Sequence, residues 1–231
     1  MPEFMILILA NEADDDRLSP AETKALVEGH SAYERSLRAA AAYLDGERLR
    51  PSAEGRRVSA RDGTLRVEAG PFAEAQLGGY YLVKAEDLAA AVALAQRCPM
   101  SPSTSFEVRP VMASHIRVDK ASERGHVFAF AVLGAAPTES GWIEVMDRID
   151  QETHDSFPAD RMLGGLRLQP PGLGRRVTPT AVFDGPFLES KEVIGGLCFL
   201  RMTSIEAAVH WASQTAFVTH GALEIRELWR S

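Results

Sequence analysis

His30 and Tyr33 are the first residues whose types and spacing suggest chemistry. They stand three residues apart in a stretch of helical periodicity, so both project from one helix face toward protein rather than solvent. A buried imidazole beside a phenol could act as a general base with an orienting donor near neutral pH. It could equally be a core histidine satisfied by a backbone carbonyl. Asp184 opens an Asp-Gly-Pro turn, where a carboxylate commonly accepts its own backbone N–H groups. In Phe106-Glu107-Val108-Arg109, strand alternation puts Glu107 and Arg109 on one face, and Glu224 with Arg226 repeats this. If those faces met across an interior, Arg109 and Arg226 could hold a carboxylate or phenolate bidentately. The alternative is cross-strand ion pairing, worth about 0.2–1 kcal/mol. Arg48 and Arg167, at equivalent positions, would add to the same positive lining or sit at solvated strand ends.

The remaining titratable groups suggest less. His154 follows Asp150 by four residues but falls off the apolar stripe of its helix, so a solvated ion pair is expected. His115, His126, His210 and His220 show no ligand spacing, and Cys98 and Cys198 form no CxxC pattern, so no metal site and no disulfide are expected. Gly78-Gly79 and Gly195-Gly196 each enter a strand, which makes them bulges or points of close backbone approach and not phosphate loops. Walker, Rossmann and Ser-His-Asp patterns are absent, so no cofactor is expected.

The elements that position these residues come in two copies. Leu77-Gly78-Gly79-Tyr80-Tyr81-Leu82 is echoed 117 residues later by Ile194-Gly195-Gly196-Leu197-Cys198-Phe199, and the same offset takes Glu107-Val108-Arg109 to Glu224-Ile225-Arg226. Gly70-Pro71-Phe72 matches Gly185-Pro186-Phe187, and Leu49-Arg50-Pro51 matches Leu168-Gln169-Pro170. Conserved order and near-constant spacing mean a duplicated domain: copies at 1–112 and 125–231, joined by a polar linker at 113–124.

In the first copy, residues 4–9 read as a buried strand. Ser19-Pro20-Ala21-Glu22 predicts a capped helix start, and Leu26, His30, Tyr33, Leu37, Ala41 and Leu44 draw one helix face over about five turns. Residues 56–68 read as a hairpin turning at Asp62-Gly63. Strand 79–84, helix 86–97 and strand 105–111 complete a β-α-β-β-α-β order with an extra hairpin before the third strand. The second copy repeats it: strand 128–133, a helix face of Ile143, Met146, Ile149, Thr153 and Phe157, a helix at about 204–213, and a closing strand at 222–228. The fold class is therefore α+β, as tandem ferredoxin-like repeats whose open sheet faces pack together as an intramolecular dimeric α/β barrel.

The chain has 231 residues, 45% hydrophobic and 25% charged, with a net charge of −7, which suits a globular protein and disfavours capture of nucleic acid or an anionic membrane. A small-molecule ligand is the expected partner. The apolar run at 4–9 is too short for a secretory core or a membrane span, so a cytoplasmic protein is expected, acting as a monomeric pseudo-dimer or a homodimer of pseudo-dimers.

At Asp184-Gly185-Pro186-Phe187-Leu188-Glu189-Ser190-Lys191-Glu192 the chain resembles the YCII-related family, in the branch named for its DGPF motif. Gly70-Pro71-Phe72-Ala73-Glu74, Leu77-Gly78-Gly79 and Glu107-Val108-Arg109-Pro110-Val111 carry the same resemblance in the first copy. It implies the dimeric α/β-barrel superfamily, with lactone isomerases, monooxygenases and a dehydrochlorinase among its members. It also implies a His and Asp acid/base site, and a gene neighbourhood of extracytoplasmic-function sigma factors. Against that pattern, Ala69 stands where Asp184 stands, and Ile149 where His30 stands, so neither copy holds both groups. Two functions follow. One is a cofactor-free lyase or isomerase acting on a small oxygenated substrate, with His30 as base, Asp184 as acid or orienter, Tyr33 as donor and the arginines as anchors. The other is a non-catalytic metabolite-binding or regulatory module in a sigma-factor stress pathway.

Overall fold

The computed structural model describes residues 1–116, 125–134, 139–153, 160–185 and 193–229. In chain order its elements are β1 (Glu3–Ala10), α1 (Glu12–Asp15), α2 (Pro20–Ala39), β2 (Tyr43–Arg48), β3 (Arg56–Arg61), β4 (Thr64–Ala69), β5 (Gln76–Lys84), α3 (Leu88–Ala95) and β6 (Ser105–Ile116). There follow β7 (His126–Gly134), α4 (Glu139–Thr153), β8 (Met162–Leu168), β9 (Arg175–Val177), β10 (Val182–Asp184), β11 (Val193–Met202), α5 (Ile205–Ala212), α6 (Phe217–His220) and β12 (Ala222–Glu227).

These elements form two compact units that do not coincide with the sequence copies. The first unit comprises Met1–Arg48, Ala73–Val111 and Gly172–Phe187; the second comprises Leu49–Phe72, Met112–Pro171 and Leu188–Ser231. The hairpin of each copy is therefore built into the other copy's sheet. In the first unit the antiparallel strand order is β2-β5-β1-β6-β9-β10, with Glu107 of β6 opposite Arg176 of β9. In the second it is β8-β11-β7-β12-β3-β4, with Glu224 of β12 opposite Arg57 of β3. The boundaries at 1–112 and 125–231 mark repeats of sequence, and compactness crosses them. The expected linker is also shorter at its start, since β6 runs through residues 113–116, and residues 117–124 lie outside those described.

Local chemistry accounts for most boundaries. Ser19 and Glu22 close a capping box over the first turn of α2, with Pro20 supplying its pre-set φ. The helix ends one turn earlier than its apolar stripe suggests. Ala41 takes φ 52°, the Ala42 N–H donates to the Leu37 carbonyl and the Ala41 N–H to that of Arg38, a Schellman closure built on alanine. Ala41 and Leu44 consequently leave the helix face, and Leu44 falls in β2. Asp62 (φ 52°) and Gly63 (φ 72°) make the tight turn between β3 and β4. Register shifts fall at Gly78 and Gly195, and a side chain on Gly196 would run into the Leu166 carbonyl oxygen, so the glycine pairs serve as both bulge and close approach.

One face of each sheet is covered by helices of its own unit. In the first, Phe4, Ile6, Tyr81, Val83, Phe106 and Val108 pack with Tyr33, Leu37, Ala91 and Ala95. In the second, Phe128, Phe130, Val132, Leu223 and Ile225 pack with Trp142, Met146, Ile149, Ala208 and Ala212. Met146 and Ile149 keep the expected inward face of α4, whereas Ile143 is exposed and Phe157 lies outside the described residues. No helix among the described residues is long and apolar enough to cross a membrane.

Candidate functional site

Helix α2 delivers His30 to the edge of the first unit's core, one turn before the buried Tyr33. Gly29 permits the approach: a Cβ there would lie 2.9 Å from Pro99 Cγ. His30 Nδ1 consequently sits 3.1 Å from the Tyr81 hydroxyl and 3.7 Å from Cys98 Sγ. Burial, and then the positive charge of Arg48, hold the His30 pKa below its ordinary value, so the ring is neutral at pH 7. Burial pushes both the Tyr81 phenol and the Cys98 thiol up, so each keeps its proton. Both groups can donate to Nδ1 or accept from it, so the tautomer sets the direction of these contacts.

Tyr33 does not play the part expected of it. Its hydroxyl donates to the Leu94 carbonyl at 3.0 Å, and its ring meets Tyr81 edge-on with centroids 5.1 Å apart. Tyr81 takes the orienting role instead. The Asp184 carboxylate is 82% exposed and receives Arg175 Nε at 2.7 Å, which ties β10 to β9, and from Pro186 on its Asp-Gly-Pro turn lies outside the described residues. The exchanged hairpin brings Asp184 into the same unit as His30, yet no hydrogen bond or ion pair joins the two.

Each of the four arginines is engaged with protein groups. Arg109 is fully buried and its Nη1 donates to Glu107, two residues away on the same strand, at 2.8 Å. Arg226 Nη1 donates to Glu224 at 3.1 Å, while its Nε (2.9 Å) and Nη2 both reach the Arg50 carbonyl. Arg57 Nη2 meets the other Glu224 oxygen at 3.3 Å and stacks over Phe72. A Cβ on Gly55 would lie 2.6 Å from Arg226 Cδ, so glycine opens the slot that the guanidinium fills. Arg167 clamps β8 to α4 through Asp147 (2.7 Å) and the Ile143 carbonyl (3.2 Å). Arg48 is exposed at the end of β2 and acts on His30 through its field.

A second polar group lies on the opposite face of the first sheet and was not anticipated from sequence. The buried Tyr80 hydroxyl donates to Asp45 Oδ2 at 2.5 Å. A bulge at Leu44 turns Asp45 onto that face, and Glu47 stands opposite Tyr80 in the next pair. The second unit has Leu166 opposite Leu197 and Gly164 opposite Phe199 at the corresponding places. The signal was present in the repeat itself: Tyr80-Tyr81 aligns with Leu197-Cys198, so both phenols belong to the first copy alone.

The other histidines are spread out. His126 pairs with Glu227 (2.6 Å), His220 with Glu152 (3.0 Å) and His210 with Gln214 (3.2 Å), while His154 lies outside the described residues. Among the described residues no group of three His, Cys, Asp or Glu side chains could hold a metal ion. An open groove of about 360 Å³ runs in the second unit between β4 and α5, lined by Leu65, Val67, Ile205 and Val209 with Arg56 and His210 at its rim.

The fold and site define a tandem α+β protein of antiparallel sheets backed by helices, with the clusters around His30 and Asp45 in the first copy. The YCII-related domain model matches residues 3–115 and again 111–231, so the chain belongs to the YCII-related family, as two tandem copies. No curated protein matches it. Among solved structures it is similar to an anthrone oxidase-like protein (10% identity, 100% of this chain and 92% of that one, TM-score 0.41). It is also similar to a protein described as a chlorite dismutase (10% identity, 98% and 95%, TM-score 0.45) and to a heme-binding protein from Thermus thermophilus (8% identity, 98% and 90%, TM-score 0.41).

Proposed function

We propose that this protein binds one small oxygenated molecule per chain, in its first copy, without transforming it. The underlying plan of each half is the ferredoxin-like one, a reading that the orders β2-β5-β1-β6 and β8-β11-β7-β12 support. The observation that carries the function is the hydrogen-bonded trio His30, Tyr81 and Cys98, which has Ile149 and Cys198 in place of His30 and Tyr81 in the second copy. In the tautomer that keeps its hydrogen on Nε2, the neutral ring beside the positive field of Arg48 would select a carbonyl or carboxylate oxygen. The acid/base alternative has less support: the Tyr33 hydroxyl donates to Leu94, Asp184 Oδ1 receives Arg175, and among the described residues no carboxylate touches the imidazole.

The test is isothermal titration with a panel of aromatic carboxylates, keto acids and lactones, followed by mass spectrometry of each ligand after incubation. The expected result is saturable binding at one site per chain, lost in His30→Ala and kept in Asp184→Asn, with every ligand recovered unchanged. Turnover of any ligand, or binding that survives His30→Ala, overturns the proposal.

A further inference from the structure

We infer that β4 is a self-association edge, through which two copies of this chain pair antiparallel about a two-fold axis at Val67. Among the described residues the strand ends the sheet order of the second unit, paired on one side with β3. All six of its residues are exposed, including Leu65 at 46% and Val67 at 47%. A free edge is usually blunted by charged side chains, a proline or a bulge. β4 has no proline, its register with β3 runs unbroken from Arg56 opposite Ala69 to Arg61 opposite Thr64, and its two charges, Arg66 and Glu68, are of opposite sign.

The charge pattern selects the occupant and the register. Because Val67 stands opposite the buried Val58 and Leu65 opposite Ala60, Leu65, Val67 and Ala69 face the helix side, and Arg66 and Glu68 face away. A two-fold axis perpendicular to the sheet pairs residues that share a face. Centred on Val67, the pairing sets Arg66 opposite Glu68 of the second copy, and does so twice. It also lays Leu65 beside Ala69 and Val67 on Val67. Centred on Arg66, it would instead oppose two guanidinium groups, which is unfavourable. The strand is thus self-complementary in one register. The added strand also extends the apolar wall of the groove formed by Leu65 and Val67 with Ile205 and Val209 of α5. The other exposed hairpin edge, β10, has three residues, and its Asp184 is already committed to Arg175.

Sedimentation of the full chain over a concentration series tests this. The expected species is a reversible dimer of twice the 25.2 kDa chain mass. Arg66→Glu and Glu68→Arg each set like charges opposite one another at both symmetric places, and each should weaken association by about tenfold or more. The double variant Arg66→Glu/Glu68→Arg restores the attraction with reversed polarity and should return the dissociation constant to within about threefold of the original. Far-UV circular dichroism should stay unchanged in all three, while Glu68→Arg, which also stands opposite Arg57 of β3, should lower the melting temperature more than Arg66→Glu, which stands opposite Ser59. A chain that remains monomeric at every concentration, a dimer indifferent to Arg66→Glu, or a double variant that fails to recover each overturns the inference.

Discussion

Replacing Glu224 by glutamine isolates the energetics of the exchanged hairpin. The Glu224 carboxylate stands between Arg226 Nη1 at 3.1 Å and Arg57 Nη2 at 3.3 Å, and the three side chains are only 10%, 2% and 17% exposed. Glutamine keeps the shape and one acceptor but removes the charge, leaving two desolvated guanidinium groups side by side. Breaking a buried pair in this way costs about 3–5 kcal/mol, and at about 2–4 °C per kcal/mol for a chain of this size the melting temperature should fall by about 6–20 °C. The internal control is Glu28→Gln. Its partner Lys24 lies 3.8 Å away with both side chains mostly in solvent, and the expected change is within about 0.5 kcal/mol. Urea unfolding followed by far-UV circular dichroism reads both midpoints. Replacing Arg57, Glu224 and Arg226 together by apolar residues of similar volume should recover most of the loss, because it removes the desolvated charges instead of stranding them. A loss for Glu224→Gln no larger than that for Glu28→Gln would refute the reasoning.

Other expectations concern the first copy and the glycine pairs. Because the folded pKa of His30 is depressed, the unfolded chain binds more protons as pH falls; the stability His30 contributes is present above about pH 6.5 and is lost on descending through the folded value. Unfolding midpoints between pH 7 and pH 5 should show that slope, and His30→Gln should flatten it. Tyr81→Phe removes the hydroxyl partner of Nδ1 and should move the imidazole titration seen by proton NMR, whereas Tyr33→Phe should leave it in place and cost about 0.5–1.5 kcal/mol through the lost bond to Leu94. Gly196→Ala would press a methyl group into the Leu166 carbonyl, and Gly79→Ala to 2.6 Å from that of Glu47, so each should destabilise by about 1–3 kcal/mol; a neutral result in thermal unfolding would show that the strands can part at no cost.

Much of the architecture was legible because it rests on local chemistry. Ser19 and Glu22 announce α2, Asp62-Gly63 announces its hairpin, and Ser204 announces α5. The end of α2 was not legible, since an alanine at positive φ carries none of the signal a glycine would. β2 was not located either: Tyr-Leu-Asp-Gly-Glu-Arg has little apolar alternation, and its place is set by pairing with β5. The destination of each hairpin depends on partners such as Glu224 and Arg57, 167 residues apart, which no window of sequence contains. At the site, the inward orientation of His30 and the shared face of Glu107 and Arg109 were readable from periodicity. The partners of its Nδ1 were not, because Tyr81 and Cys98 are brought in from distant parts of the sequence.

The two exchanged hairpins open with the same words, Gly55-Arg56-Arg57-Val58 and Gly174-Arg175-Arg176-Val177, and it is these opening strands that lie against β12 and β6. Recombination between the two halves of the gene could therefore trade one hairpin for the other and still deliver matching arginines to either sheet. The outer strands are under no such obligation. Thr64–Ala69 and Val182–Asp184 already differ in length and charge, so heredity in this chain holds the joint constant and leaves the rim free to acquire a separate use in each half.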